Sequence, residues 1–167
     1  RRVLFRSGTV YIKRLPVSGS DPYFPETADL LSYTEDGLGN VTFLDPVAPE
    51  EIGRFLRRAT AGLASVRDLE LFKSVRSAKM FPTMATAKAV LYAGSDEGAA
   101  LVAEAGAGLV VPHGDVDALV AAVRRLVASP EEAAEMGAAG RRWIDTEGSW
   151  AVLIERWLAD LERVARL

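Results

Sequence analysis

The chain has 167 residues, of which 49% are hydrophobic and 26% charged, the make-up of one globular domain with its own core. Cysteine is absent and His113 is the single histidine, which excludes a disulfide scaffold, a thiolate or multi-histidine metal centre and a cysteine nucleophile. A net charge of −3 offers nothing to a nucleic acid, and no apolar run is long enough to span a membrane; a cytoplasmic protein is expected, at most touching the inner face of a membrane.

Residues 1–7 read RRVLFRS. They resemble a translated sequencing adapter and are expected to be a non-native segment outside the fold, an edge strand being the alternative. Residues 10–17 follow as a strand, 18–25 as a Gly/Pro loop and 27–33 as a short helix. From residue 39 the pattern sharpens. VTFL at 41–44 is a strand, and Asp45, Pro46 and Pro49 mark the loop after it. Pro49, Glu50 and Glu51 suit a helix start, and Ile52, Phe55, Leu56 and Ala59 form that helix's buried stripe.

Residues 62–66 read as the next strand, 77–87 as a helix with Met80, Phe81 and Met84 inward, and 89–92 as a buried strand. A helix at 96–105 and a strand at 109–112 follow. Asp115 caps a helix whose stripe is Val116, Leu119, Val120, Val123, Leu126 and Val127. Pro130 opens a helix carrying Ala133, Met136 and Trp143, and Ser149 caps the last one, with a strong apolar face. Trp143, Trp150 and Trp157 are expected as packing anchors. Strands alternating with helices predict an α/β fold: a Rossmann-like parallel sheet flanked by helices over 8–148, with a terminal helix at 149–167.

A parallel sheet binds ligands beyond the carboxyl ends of its strands, which selects the loops at 45–49, 67–78, 94–98 and 112–115. Lys73, Arg76 and Lys79 bring three cations to that edge, around a helix start near Ser77 whose free N–H groups suit a phosphate. Gly94 and Gly98 permit close backbone approach, and Asp96 or Glu97 would serve a ligand or the helix N-terminus. There is no GxGxxG and no Walker pattern. His113 reads as a solvated turn residue, and Arg54, Arg57 and Arg58 as a basic helix face, either simply solvated or meeting an anionic membrane surface.

Three stretches together resemble the C-terminal domain of retaining GT-B glycosyltransferases of the family-4 type. NVTFLDPVAPEEIGRFLRRATAGLASV resembles that family's strand, base-binding turn, helix and strand; SAKMFPTMATAKAVLYAG resembles its helix and strand written PSKxFEYMAxGKPVLAxG. EAGAGLVVPHGDVDALVAAVRRLVASPEEAAEMGAAGRRW resembles the family's C-terminal half. The resemblance implies the donor-binding half of an enzyme that transfers a sugar from a nucleoside-diphosphate sugar, with retention, to a sugar or lipid-linked acceptor held by a preceding domain. Surface polysaccharide or glycolipid synthesis is the implied setting. Lys73, Ser77, Ala78 and Lys79 would face the diphosphate and sugar; Val47, Ala48, Pro49, Pro82 and Glu97 would face the nucleoside. No catalytic residue is assigned, and no metal or cofactor beyond the co-substrate is implied.

The chain departs from the family at three places. The family's two glutamates correspond to Ser74 and Pro82, its glycine and proline to Ala87 and Ala89, and its basic pair to a point upstream of residue 8. A proline cannot hydrogen-bond a ribose hydroxyl, and Glu97 is the candidate replacement. A sugar-nucleotide epimerase of the same architecture and a non-catalytic nucleotide-sugar binding module are the alternatives.

Overall fold

The structure is a computed structural model in which residues 3–6, 9–13, 41–44 and 48–166 are described. In chain order the elements are β1 (Val3–Arg6), β2 (Thr9–Lys13), β3 (Val41–Leu44), α1 (Pro49–Arg58), β4 (Ala61–Ser65) and α2 (Met80–Ala85). There follow β5 (Ala89–Ala93), α3 (Glu97–Glu104), β6 (Gly108–Val111), α4 (Val116–Ala128), α5 (Pro130–Trp143), a π-helical turn (Ile144–Gly148) and α6 (Trp150–Ala165). The strands form one sheet in the order β3-β2-β1-β4-β5-β6. β4, β5 and β6 are mutually parallel, as β2 and β3 are, and β1 runs antiparallel to both of its neighbours. The expected α/β sheet flanked by helices is present.

The chain start is used differently from the expectation. Residues 3–6 lie neither outside the fold nor at its edge: they are the strand between β2 and β4. β2 is shorter than the run at 10–17, and the loop at 18–25 and helix at 27–33 lie outside the described residues.

β5 organises the core. All five of its residues are buried, with Val90, Leu91 and Tyr92 at 0% exposure, as expected of a central parallel strand covered on both faces. Its alternation divides the interior. Val90 and Tyr92 join Met80 and Met84 of α2 and Leu101 and Val102 of α3, while Ala89, Leu91 and Ala93 meet Ala122 and Leu126 of α4. Burying one such aliphatic side chain contributes about 1.5–3 kcal/mol, so this strand and its covering helices hold most of the fold.

α5 passes under the amino end of β5, with Ala133 in the second cluster and Trp143 packed against the first. Gly137 makes this crossing possible, since a Cβ there would stand 2.2 Å from the Ala87 carbonyl oxygen. Arg141 also donates to the Ala85 carbonyl at 2.9 Å, tying α5 to the end of α2.

Several helix readings change in the folded chain. The stripe expected on α4 is narrower than its sequence suggests: Leu119, Val123 and Leu126 pack inward together with Ala122, while Val116, Val120 and Val127 are exposed. Valine and alanine alternate too densely on this helix for periodicity to set the edge of the face. Trp143 packs inward and stacks on Phe81 with centroids 6.1 Å apart, but Trp150 and Trp157 are 80% and 62% exposed. The apolar face of α6 has no described element beneath it. The helix itself is real, with the Ser149 hydroxyl accepting from the Val152 N–H at 3.3 Å.

Candidate functional site

The loops after β4 and β5 meet at the carboxyl edge of the sheet. β4 ends as the Val66 N–H donates to the Ala93 carbonyl at 3.0 Å, and the chain then runs through a single 3-10 turn (Glu70–Phe72) to α2. This helix is shorter than the expected 77–87. It starts at Met80, with Lys79 as its N-cap, because residues 77–79 form a turn in which the Met80 N–H donates to the Ser77 carbonyl at 3.2 Å. Pro82 stands in the first turn of α2, where its missing N–H has no intrahelical role. Gly62 allows the close packing of α2 on β4, since a Cβ there would meet the Thr83 hydroxyl at 2.4 Å.

Tyr92 supports the loop after β5 from below. Its hydroxyl donates to Asp96 Oδ1 at 2.8 Å, with the Ser77 backbone nearby. The same Asp96 oxygen caps α3, accepting from Gly98 N–H at 2.7 Å and Ala99 N–H at 3.1 Å. Burial first, and then the adjacent Asp96 carboxylate, pushes the Tyr92 phenol well above its ordinary range. Asp96 Oδ2 is buried without a donor among the described residues, on the side left open by Gly94, where a Cβ would stand 3.0 Å from it. Asp96 is the cap of α3, and its central position in this network is visible only once Tyr92 is seen beneath it.

Above this buried layer the charges sort themselves. Glu97 N–H donates to the Lys73 carbonyl at 3.0 Å, and Arg76 pairs with the Glu97 carboxylate through Nε at 2.8 Å and through its terminal Nη2. Lys73 pairs with Glu70. Of the three cations expected at this edge, Lys79 alone has no ion-pair partner among the described residues. It is half-buried at the start of α2, beside exposed Ala78 and half-buried Ser77. Glu97 is exposed and Pro82 half-buried.

The remaining candidates lie farther along the same edge. Ala48 is the exposed N-cap of α1 and Pro49 its first residue; Val47 lies outside the described residues. α1 packs against α2, so Ala48 and Pro49 open the helix that neighbours the one Lys79 caps. The structure brings Lys73, Ser77, Lys79 and Glu97 together on the loops after β4 and β5. His113 is exposed on the turn after β6, as expected. Among the described residues no group of three histidine, cysteine, aspartate or glutamate side chains is arranged to hold a metal ion.

Comparison with known proteins agrees with this architecture. WaaG, a glycosyltransferase involved in lipopolysaccharide biosynthesis, superimposes with a TM-score of 0.60 at 14% identity, over 79% of this chain and 34% of its own. Sucrose-phosphate synthase from Thermosynechococcus elongatus superimposes with a TM-score of 0.65 at 20% identity, over 94% of this chain and 39% of its own. At these identities the likeness is one of fold, and the chain spans well under half the length of either protein. No curated protein matches the sequence. The family described as Glycosyl transferase-like matches residues 4–159, nearly the whole chain. The chain belongs to this glycosyl transferase-like family and has the fold of the C-terminal domain of a GT-B glycosyltransferase.

Proposed function

We propose that this domain binds the donor of a glycosyltransferase, a nucleoside-diphosphate sugar, whose sugar passes with retention to an acceptor hydroxyl held by another domain. The observation that carries the reading is half-buried Lys79 at the carboxyl edge of the sheet, without an ion-pair partner among the described residues. An ammonium there would hold the diphosphate in the ground state and stabilise the charge that develops as the bond from sugar C1 to the phosphate oxygen breaks. A nucleoside diphosphate lying along this edge would set its base toward Ala48 and Pro49, at the start of α1, which packs beside α2.

Two features bear on the ribose. Pro82 offers it no hydrogen bond, and Glu97 would have to release Arg76 to do so. An incoming diphosphate supplies a reason for that release, since it competes with Glu97 for the Arg76 guanidinium. A sugar or lipid-linked acceptor, a role in polysaccharide or glycolipid synthesis and a place at the inner face of the membrane belong to the same reading. The same pairing of Glu97 favours a second one, a module that binds nucleotide sugar without transfer.

Calorimetric titration with uridine, guanosine and adenosine diphosphates tests the first step. Loss of one charge-assisted contact in Lys79→Ala should weaken the preferred nucleotide roughly 10- to 100-fold. Binding unaltered by Lys79→Ala, or none by any of the three, would refute the assignment. Donor turnover in a protein that contains this domain separates the readings: product with an acceptor supports transfer, turnover without one an epimerase, and binding alone the module.

A further inference from the structure

The basic flank of α1 is unused by the site above. Arg76, Arg125, Arg141, Arg156, Arg163 and Arg166 each pair with a carboxylate, whereas Arg54, Arg57 and Arg58 are exposed and have no ion-pair partner among the described residues, although Glu50 and Glu51 lie one turn before Arg54. Their spacing puts all three on one side of the helix. They line an open surface depression of about 420 Å³. A preference for cations near a helix C-terminus explains Arg57 and Arg58 but not Arg54. It also leaves Gly53 unexplained, a poor helix former inside the helix. A Cβ at Gly53 would stand 3.2 Å from Arg57 Nη1, so the bare flank gives that guanidinium room to lie along the helix.

The place of this face in the fold separates it from the donor site. α1 leaves β3 at the carboxyl edge of the sheet and ends two residues before β4 begins, so its last turn lies at the amino edge. The opposite side of α1 is committed to the interior through Ile52, Phe55, Leu56 and Ala59. The depression is too open to enclose one small anion, yet it concentrates three planar, permanently charged forks in a chain of net negative charge. A plane of many phosphates can engage all three guanidiniums at once.

We propose that Arg54, Arg57 and Arg58 are a docking face for an anionic phospholipid surface. The contact is electrostatic and interfacial, without insertion, and it rests on neither nucleotide binding nor transfer. Flotation of the 167-residue chain with vesicles tests it, comparing phosphatidylcholine alone with phosphatidylcholine containing phosphatidylglycerol, at low and physiological salt. Retention should require the anionic lipid and fall with salt. Arg57→Gln with Arg58→Gln should reduce partitioning roughly five-fold per arginine, about 25-fold together. The charge-matched pair Arg124→Gln with Arg142→Gln, two exposed arginines on α4 and α5, should leave it unchanged. The proposal is overturned by failure of the wild-type chain to float, by equal loss in both double variants, or by inorganic phosphate titrating the α1 amides while vesicles leave the chain in solution.

Discussion

Replacing Tyr92 by phenylalanine removes one oxygen from the buried layer of the site and leaves the packing in place. That oxygen donates to Asp96 Oδ1 at 2.8 Å, and the residue is 0% exposed. A hydrogen bond to a charged group contributes about 1.5–3 kcal/mol. The two N–H donors of α3 still hold Asp96 Oδ1. The expected loss is about 1.5–3 kcal/mol, or roughly 3–12 °C in Tm for a chain of this size. Urea unfolding should show a lower midpoint with an unchanged slope.

The phenol adds a pH signature. Its folded pKa is raised above the ordinary value of 10.0, so above that pH the unfolded chain loses a proton that the folded chain keeps. Stability from this group is constant below about pH 10 and falls above it by up to ~1.4 kcal/mol per pH unit. Tyr92→Phe should abolish that part of the alkaline decline. A variant within about 0.5 kcal/mol of wild type that retains the full alkaline slope would show that this network does not hold the loop after β5.

Four further outcomes follow from packing and backbone geometry. Gly137→Ala puts a methyl group 2.2 Å from a backbone oxygen, and α5 must shift; a loss above about 3 kcal/mol is expected in denaturant unfolding. Ala87→Gly should stabilise by about 0.5–1 kcal/mol, because Ala87 holds a φ of 53° that favours glycine, and an unchanged or lower Tm would argue against that strain. Trp143→Ala should cost about 3–5 kcal/mol. Trp150→Ser and Trp157→Ser should stay within about 0.5 kcal/mol of wild type in the same thermal melts, their side chains being largely exposed.

Local signals alone located most elements after residue 39 and their boundaries to within a few residues. Pro49 with Glu50 and Glu51, Asp96, Asp115, Pro130 and Ser149 mark helix starts by a chemistry that acts within one turn of the chain. The apolar run at 89–92 likewise announces a strand covered on both faces, and alternating strands and helices announce a parallel sheet with its loops at one edge. The three cations near that edge were legible as well. What local chemistry could not tell was which cation remains available, because pairing is decided by neighbours distant in sequence: Arg76 meets Glu97 across two loops, and Lys79 meets no carboxylate among the described residues. The same reason hid the narrowing of the α4 stripe, whose Val116, Val120 and Val127 stay exposed beside the inward Leu119, Val123 and Leu126. Residues 3–6 are the clearest instance. Four residues of strand-like sequence have no intrinsic place in a sheet, and only pairing with β2 and β4 puts them between those strands.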